Sequence, residues 1–264
     1  MQSSGQLEKN AANSDGNDAI TQASYQLYFA SGLYDKRYPS PNQTMWRWIE
    51  TFVSPSKAVL DFGCGSGRYL LRLRGRVARA IGFDVSHAAL KAMHERGRDW
   101  PELSVIGPDA DLLDAHIQSQ GSVDLVLCLF GVLGHITERG ARAEALLRMR
   151  RALKPSTGRL LISVPNQARR FRSEQAQNGG DNKVCYQRQT DDGGVVVLNY
   201  QLFDPEMLIS ELAQAGFNLH RIGCESILPE SWLLHNPVLR WFDGLIAPIC
   251  PARWGYGIYA VASC

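Results

Sequence analysis

The apolar run Ala58–Phe62 carries a single carboxylate, Asp61, and stops at Gly63-Cys64-Gly65-Ser66-Gly67. That junction constrains the fold of this 264-residue chain more than any other feature. Five largely apolar residues predict a buried strand, and three alternate glycines predict a tight turn. Glycine alone lets the backbone reach left-handed conformations and lets a ligand approach closely. The chain after the turn reads as a helix running to Gly75. A strand, a glycine turn and a helix start one unit of an α/β protein, with exposed N–H groups facing whatever binds at the turn.

The same alternation continues. Ala78–Phe83 reads as a second strand ending at Asp84, and Ser86 caps a helix through Arg96. Leu103–Ile106 is a third strand leading to Gly107-Pro108-Asp109, and Val123–Leu129 a fourth. Leu146, Met149 and Leu153 mark a helix face that stops at Lys154-Pro155, before a strand over Arg159–Val164. Upstream, Met45, Trp48, Ile49 and Phe52 recur at helical spacing behind Pro41-Asn42. Downstream, Asp204 and Pro205 start a helix carrying Leu208, Leu212 and Ala215, which Gly216 closes. Strands at Leu219–Ile222 and Tyr256–Ala262 follow. Strands that alternate with helices pair in parallel through crossovers, so the expected fold is a doubly wound sheet covered on both faces.

Two stretches break the pattern and are expected to form a substrate cap. Residues 166–200 hold Arg169, Arg170 and Arg172, then strand-like runs around Asp191-Asp192-Gly193-Gly194. Residues 223–254 hold Trp232, Trp241 and Trp254 with four prolines. These tryptophans are read as core or cap packing, with a surface touching lipid as the alternative. Residues 1–18 are Ser/Asn/Gly/Asp-rich with almost no apolar content and read as a flexible tail, leaving 19–264 as one domain.

Composition limits function only broadly. With 28 basic and 26 acidic side chains the chain is close to neutral, so no nucleic-acid partner is demanded. The longest apolar run, Leu125–Leu133, is under half the roughly 20 residues of a membrane-spanning helix. The start shows no secretory pattern, and six scattered cysteines without a C-x-x-C pair suit reduced thiols, so no metal site and a cytoplasmic location are expected.

Glycine clusters serve nicotinamide dinucleotides as well as S-adenosylmethionine (SAM). Three features separate them. The spacing is G-x-G-x-G rather than G-x-G-x-x-G. Asp84 follows Gly63 by 21 residues, where a carboxylate accepts from ribose hydroxyls. Asp61 stands two positions before the first glycine, repelling a pyrophosphate while suiting an ammonium or sulfonium.

With these residues in view, the chain resembles the class I SAM-dependent methyltransferases over about residues 55–165. Val59–Gly67 resembles motif I, and Ile81-Gly82-Phe83-Asp84 the acidic end of strand two. Pro108-Asp109-Ala110 resembles the adenine-binding segment, and Val123-Asp124-Leu125-Val126 through His135 resembles motif IV. Leu153-Lys154-Pro155 through Gly158 resembles the turn into strand five, with Ser156-Thr157 a departure where most relatives have glycine. The resemblance implies a seven-stranded, mostly parallel sheet with its last strand antiparallel, and SAM as cofactor. It further implies that Asp61, Gly63, Cys64 and Gly65 line the methionine portion, Asp84 and Val85 the ribose, Asp109 and Ala110 the adenine, and Leu129 the floor beneath the sulfonium. Asp before a helix is also a common N-cap, the competing reading of Asp109.

The acceptor is expected to be a small molecule methylated on oxygen or nitrogen. His135, after strand four, is the candidate general base, against a histidine tied to the loop backbone. Tyr34, Arg169 and Arg170 are candidate substrate contacts, the arginines for an anion, while Tyr34 with Arg37 and Tyr38 also fits a segment closing over the cofactor. The run Arg68, Arg72, Arg74, Arg76 and Arg79 is read as a solvated face rather than an RNA-binding patch. A wobble-uridine tRNA methyltransferase and a non-catalytic partner subunit of the same fold are the alternative functions.

Overall fold

The computed structural model describes residues 23–177, 179–180, 182–190 and 193–264. The predicted tail and the turn residues Asp191 and Asp192 lie outside them. Seven strands form one sheet: β1 (Ala58–Phe62), β2 (Arg79–Phe83), β3 (Leu103–Ile106), β4 (Leu125–Cys128), β5 (Arg159–Pro165), β8 (Asn218–Ser226) and β9 (Gly257–Ser263). A separate hairpin holds β6 (Lys183–Gln189) and β7 (Val195–Gln201). The sheet order is β3-β2-β1-β4-β5-β9-β8. β1 to β5 pair in parallel, and β9 runs antiparallel to both of its neighbours, as expected from the resemblance.

Strand side chains alternate between two cores. Leu60, Val126, Cys128, Leu160 and Ile162 pack on one face against Leu146, Met149, Leu208 and Leu212. Those partners lie on α7 (Arg139–Ala152) and α9 (Pro205–Gln214). Val59, Leu125, Leu127 and Leu161 face the other way, toward Met45, Ile49, Leu70, Leu73 and Met93. Here the partners lie on α3 (Gln43–Phe52), a 3-10 turn and α4 (His87–Gly97). Every residue of β1 and β4 is buried, which explains why their sequences are apolar runs without alternation.

The helix expected after the glycines differs. Residues 70–73 form only a 3-10 turn, with Leu70 and Leu73 buried. Leu70 and Leu73, three residues apart, eclipse on that tighter spiral and together reach the core. The fourth strand is also shorter than its apolar run, beginning at Leu125, with Val123 held by an isolated bridge to Leu153.

A third layer covers the carboxyl ends of the strands. It consists of a helix over 23–30 (α1), α2 (Leu33–Arg37) and the β6–β7 hairpin, joined through Tyr28, Tyr34, Val196 and Leu198. Along one edge run α10 (Glu230–His235) and α11 (Pro237–Ile246). β8 extends to Ser226, so the sheet itself takes the first residues of the expected 223–254 cap. α5 (Ala110–Gln120), α6 (Val132–His135) and α8 (Arg172–Gln177) complete the elements used below.

Candidate cofactor and acceptor site

β1 delivers Asp61 to the carboxyl edge of the sheet, where the glycine turn begins. Gly63, Gly65 and Gly67 all adopt positive φ, at 83°, 53° and 94°. A Cβ on Gly63 would lie 2.5 Å from the Val132 methyls, and one on Gly65 would lie 3.1 Å from the Phe29 ring. Gly63 is therefore fixed by space as well as by conformation, whereas Gly65 is held chiefly by its positive φ. The Gly65 N–H donates to Asp84 Oδ2 (2.8 Å) and the Ser86 N–H to Asp84 Oδ1 (2.9 Å). The Val85 backbone also donates to this carboxylate, which leaves about one of its four acceptor sites for a ligand.

Asp61 is different. It is buried, and among the described residues its carboxylate has no hydrogen-bond partner. Burial, reinforced by the Asp84 charge, pushes its carboxyl up to about 7. Asp84 is raised too, by burial, against the backbone bonds that hold it. Two buried carboxylates, one without a partner, favour a cation or a multiple hydrogen-bond donor.

Aromatic rings close the site from above. Tyr34 packs on Phe29, with centroids 4.7 Å apart, and on Phe130 at 6.0 Å. Gln26 Oε1 accepts from the Ala88 N–H (2.6 Å), which pins α1 over the start of α4. Tyr34 therefore sits on the glycine turn, on the cofactor side.

Next to it, a cavity of about 70 Å³ opens at the carboxyl ends of β4 and β5. Tyr38, Phe130, Arg170, Glu225, Glu230 and Tyr256 are among its walls. Phe130 holds a left-handed backbone (φ 63°), fixed by its N–H donating to Ser163 Oγ (2.9 Å). Such strain in a bulky residue persists only where the surroundings impose it, and it aims this ring into the cavity region. The Arg170 guanidinium lies 5.0 Å over Tyr256 and 5.3 Å over Phe171, and its buried Nε has no hydrogen-bond partner. No carboxylate among the described residues pairs with it. Glu225 also leaves one buried carboxyl oxygen, Oε1, without a partner. Burial and the Glu230 charge push Glu225 up to about 8, against the opposing pull of Ser163 and Arg170.

The remaining predicted residues separate. Arg169 does not line the cavity: it donates to the Trp254 carbonyl (2.7 Å) and that of Ile227 (3.4 Å), tying down the late segment. Arg68 is not on a solvated face. It is buried, pairs with Glu230 and lies 4.6 Å over Phe130. Arg79 is spent on the carbonyls of Gln120, Gly121 and Ser122, so the run presents no continuous basic face. His135 is packed 3.7 Å from Tyr200 and 4.8 Å from Tyr25, its Nδ1 without a partner. Burial pushes its imidazole down to about 3, so it is neutral and very weakly basic at physiological pH. Asp109 caps α5 by accepting from the Asp111 N–H (2.9 Å), and Cys64 is a buried thiol pushed up by burial. Leu129 is buried and Val85 half exposed at the rim. Trp232, Trp241 and Trp254 are exposed rather than packed.

Sequence reasoning did not find Glu225, Glu230 or Phe130. Glu225 lies within a strand of mixed polarity and has no motif around it.

A methyltransferase-domain family model matches residues 59–156, from the first strand through α7. Residues 59–156 therefore carry a methyltransferase domain, of the kind that uses SAM. Solved structures agree on the fold of this methyltransferase. The CcbJ methyltransferase from Streptomyces caelestis aligns with a TM-score of 0.61 at 14% identity, over 84% of this chain and 94% of its own. A SAM-dependent methyltransferase from Clostridium acetobutylicum gives 0.60 at 14%, over 88% and 96%. The DhpI–SAH complex gives 0.56 at 14%, over 92% and 95%. No curated protein matches the methyltransferase by sequence. Its residues fit the SAM cofactor: a partnerless buried carboxylate, glycines at which side chains would clash, and a second carboxylate able to accept a further hydrogen bond.

Proposed function

We propose that the methyltransferase transfers a methyl group to an oxygen or nitrogen atom of a small acceptor bearing an anionic group, held in the cavity between Arg170 and Glu225. The observation that carries this reading is a buried guanidinium stacked on aromatic rings with no ion-pair partner among the described residues. Cation–π contacts compensate its burial only in part, and a carboxylate or phosphonate on the acceptor would complete the pairing. A cavity this small suits a small acceptor. DhpI, a structural neighbour, is also described as a SAM–HEP complex.

On the cofactor side, Asp61 with Gly63, Cys64 and Gly65 holds the methionine portion. Asp84 and Val85 hold the ribose, Asp109 and Ala110 the adenine, and Leu129 underlies the sulfonium. When bound, SAM supplies an electrophilic methyl. The protein's part is to align the acceptor atom with that methyl and to exclude water, work done by Tyr34, Tyr38 and Phe130. His135 is too weak a base to draw a proton from a hydroxyl, and here it serves as a packing residue. Glu225, raised to about 8 and facing the cavity, is the group tuned to accept the acceptor's proton.

Purified protein with SAM, assayed for S-adenosylhomocysteine release over small hydroxyl and amine acceptors with and without a carboxylate or phosphonate, tests this. Turnover confined to the anionic members, with KM raised at least about tenfold by Arg170→Ala, is expected. Methylation of total tRNA in place of every small acceptor would overturn the reading. So would SAM binding without turnover on any substrate class, which fits a partner subunit. Glu225 adds a pH test: the rate should rise up to about pH 8, and Glu225→Gln should remove that rise while leaving SAM binding intact.

A further inference from the structure

α11 turns its apolar side away from the protein. Val238, Trp241, Phe242, Leu245 and Ile246 fall at i, i+3, i+4, i+7 and i+8, one stripe of the helix, and are exposed by 60, 59, 49, 54 and 47%. The opposite side is polar and docked. Buried Asp243 accepts from the Ile227 N–H (2.7 Å) and the Leu228 N–H (3.0 Å), and the Gly244 carbonyl accepts from Arg47 (2.9 Å). An ordinary surface helix shows the reverse arrangement, apolar stripe inward. The exposed side continues through Ile249, 82% exposed, and is flanked by Trp232 and Trp254, each 57% exposed. So much large apolar surface in one patch marks a face made to be covered.

Charge indicates what covers it. Between 231 and 254 every exposed ionisable side chain is basic: His235, Arg240 and Arg253. The acid within this stretch, Asp243, is buried, and Glu230 just before it is taken by Arg68. Tryptophans at the margins of an aliphatic patch, with arginines beside them, match the boundary between lipid headgroups and acyl chains. α11 has ten residues, about 15 Å of helix, and no helix among the described residues is long and apolar enough to cross a membrane. A face of this kind lies in the interface plane.

We propose that α10, α11 and the turn after them form a docking face for an anionic lipid bilayer. Trp241, Phe242, Leu245, Ile246 and Ile249 enter the headgroup boundary, and Arg240 and Arg253 meet lipid phosphates. The inference stands apart from the choice of acceptor. It does have a consequence for it, because Pro229, Glu230 and Ser231 at the start of α10 also line the acceptor cavity, so docking brings the cavity rim to the lipid surface.

Flotation of the full chain with vesicles tests it, comparing phosphatidylcholine alone with phosphatidylcholine mixed with phosphatidylglycerol. The protein should float with the mixed vesicles, less with phosphatidylcholine alone, and less again as salt screens the arginines. Trp241→Glu with Ile249→Glu should cut flotation about tenfold or more, while S-adenosylhomocysteine binding and melting temperature stay at the parent values. Arg240→Glu should remove the preference for phosphatidylglycerol. Failure of the folded parent to float with either vesicle overturns the proposal, as does undiminished flotation of the double variant. A parent that elutes as a dimer, which the same two substitutions turn into monomers without any lipid binding, overturns it in favour of a second copy on this face.

Discussion

Asp61 is the residue whose charge the proposed SAM site would change on binding. Its carboxyl is raised to about 7 without a partner, whereas a cation beside it would favour the carboxylate. SAM binding is therefore expected to release a proton below pH 7, and affinity should rise with pH up to about 7 and then level off. Calorimetry in buffers of differing ionisation enthalpy reads the proton directly. Asp61→Asn should weaken SAM binding about tenfold or more and flatten its pH dependence. The same shift sets a stability sign. A carboxyl raised in the folded state binds more protons there than in the unfolded chain, so Asp61 makes the cofactor-free protein less stable as pH climbs from the ordinary carboxylate range to about 7. Asp61→Asn should remove that decline, which thermal melts across this range would show. His135, by contrast, should contribute nothing to a pH–rate profile near neutrality. His135→Asn is expected to lower the melting temperature through lost ring packing with Tyr25 and Tyr200, without moving the profile.

Among the elements, the glycine turn and the clasp behind it have opposite demands. Gly63→Ala would force a left-handed backbone onto alanine and press its Cβ against Val132, at a cost of about 1–3 kcal/mol or more, measurable by urea denaturation. At the other end of the sheet, Asp124 binds β1 to β4 and β5. Its carboxylate accepts from the Ala58 N–H (2.9 Å), Lys57 (3.0 Å) and Lys154 (2.8 Å), and these bonds hold it below the usual carboxylate range. The stability it supplies is present above its ordinary pKa and disappears as pH falls through its lowered one. Asp124→Asn should therefore be destabilising at pH 7 and nearly neutral in strong acid. Most of these elements were readable beforehand. β1 and β3 fall on their predicted residues, β1 because it is buried on both faces and β3, a half-buried edge strand, because it is a short apolar-rich run stopped by Gly107-Pro108. α3 and α9 begin at predicted starts, because Asn42 and Asp204 accept backbone N–H groups there. The helix after Gly67 was misread, since the tight packing of Leu70 and Leu73 follows from a neighbouring layer.

At the scale of the whole molecule, one ion pair joins the glycine turn to the late cap. Arg68 and Glu230 are 162 positions apart, and both side chains are largely removed from water. Removing one partner leaves the other charge buried, so Glu230→Gln should cost about 3–5 kcal/mol, whereas replacing both with apolar residues should cost far less. A double-mutant cycle followed by urea denaturation separates the two. This pair also shows where sequence reasoning stops. Taken along the chain, Arg68 is one of five arginines and reads as solvated. Only the approach of α10 places Glu230 against it and buries both. The same holds for the cavity, where Arg170, Phe130, Glu225 and Tyr256 come from four separate segments, and for His135, which packs between two distant tyrosines and whose burial keeps it neutral. The sequence by itself determined the doubly wound sheet, the glycine turn with its two carboxylates and the cofactor class, because each depends on neighbours close along the chain and on periodicity. The tertiary structure alone decided which arginines are buried, which carboxyls are raised toward neutral pH and which tryptophans face outward, because burial and electrostatic environment are set by residues that only folding brings together.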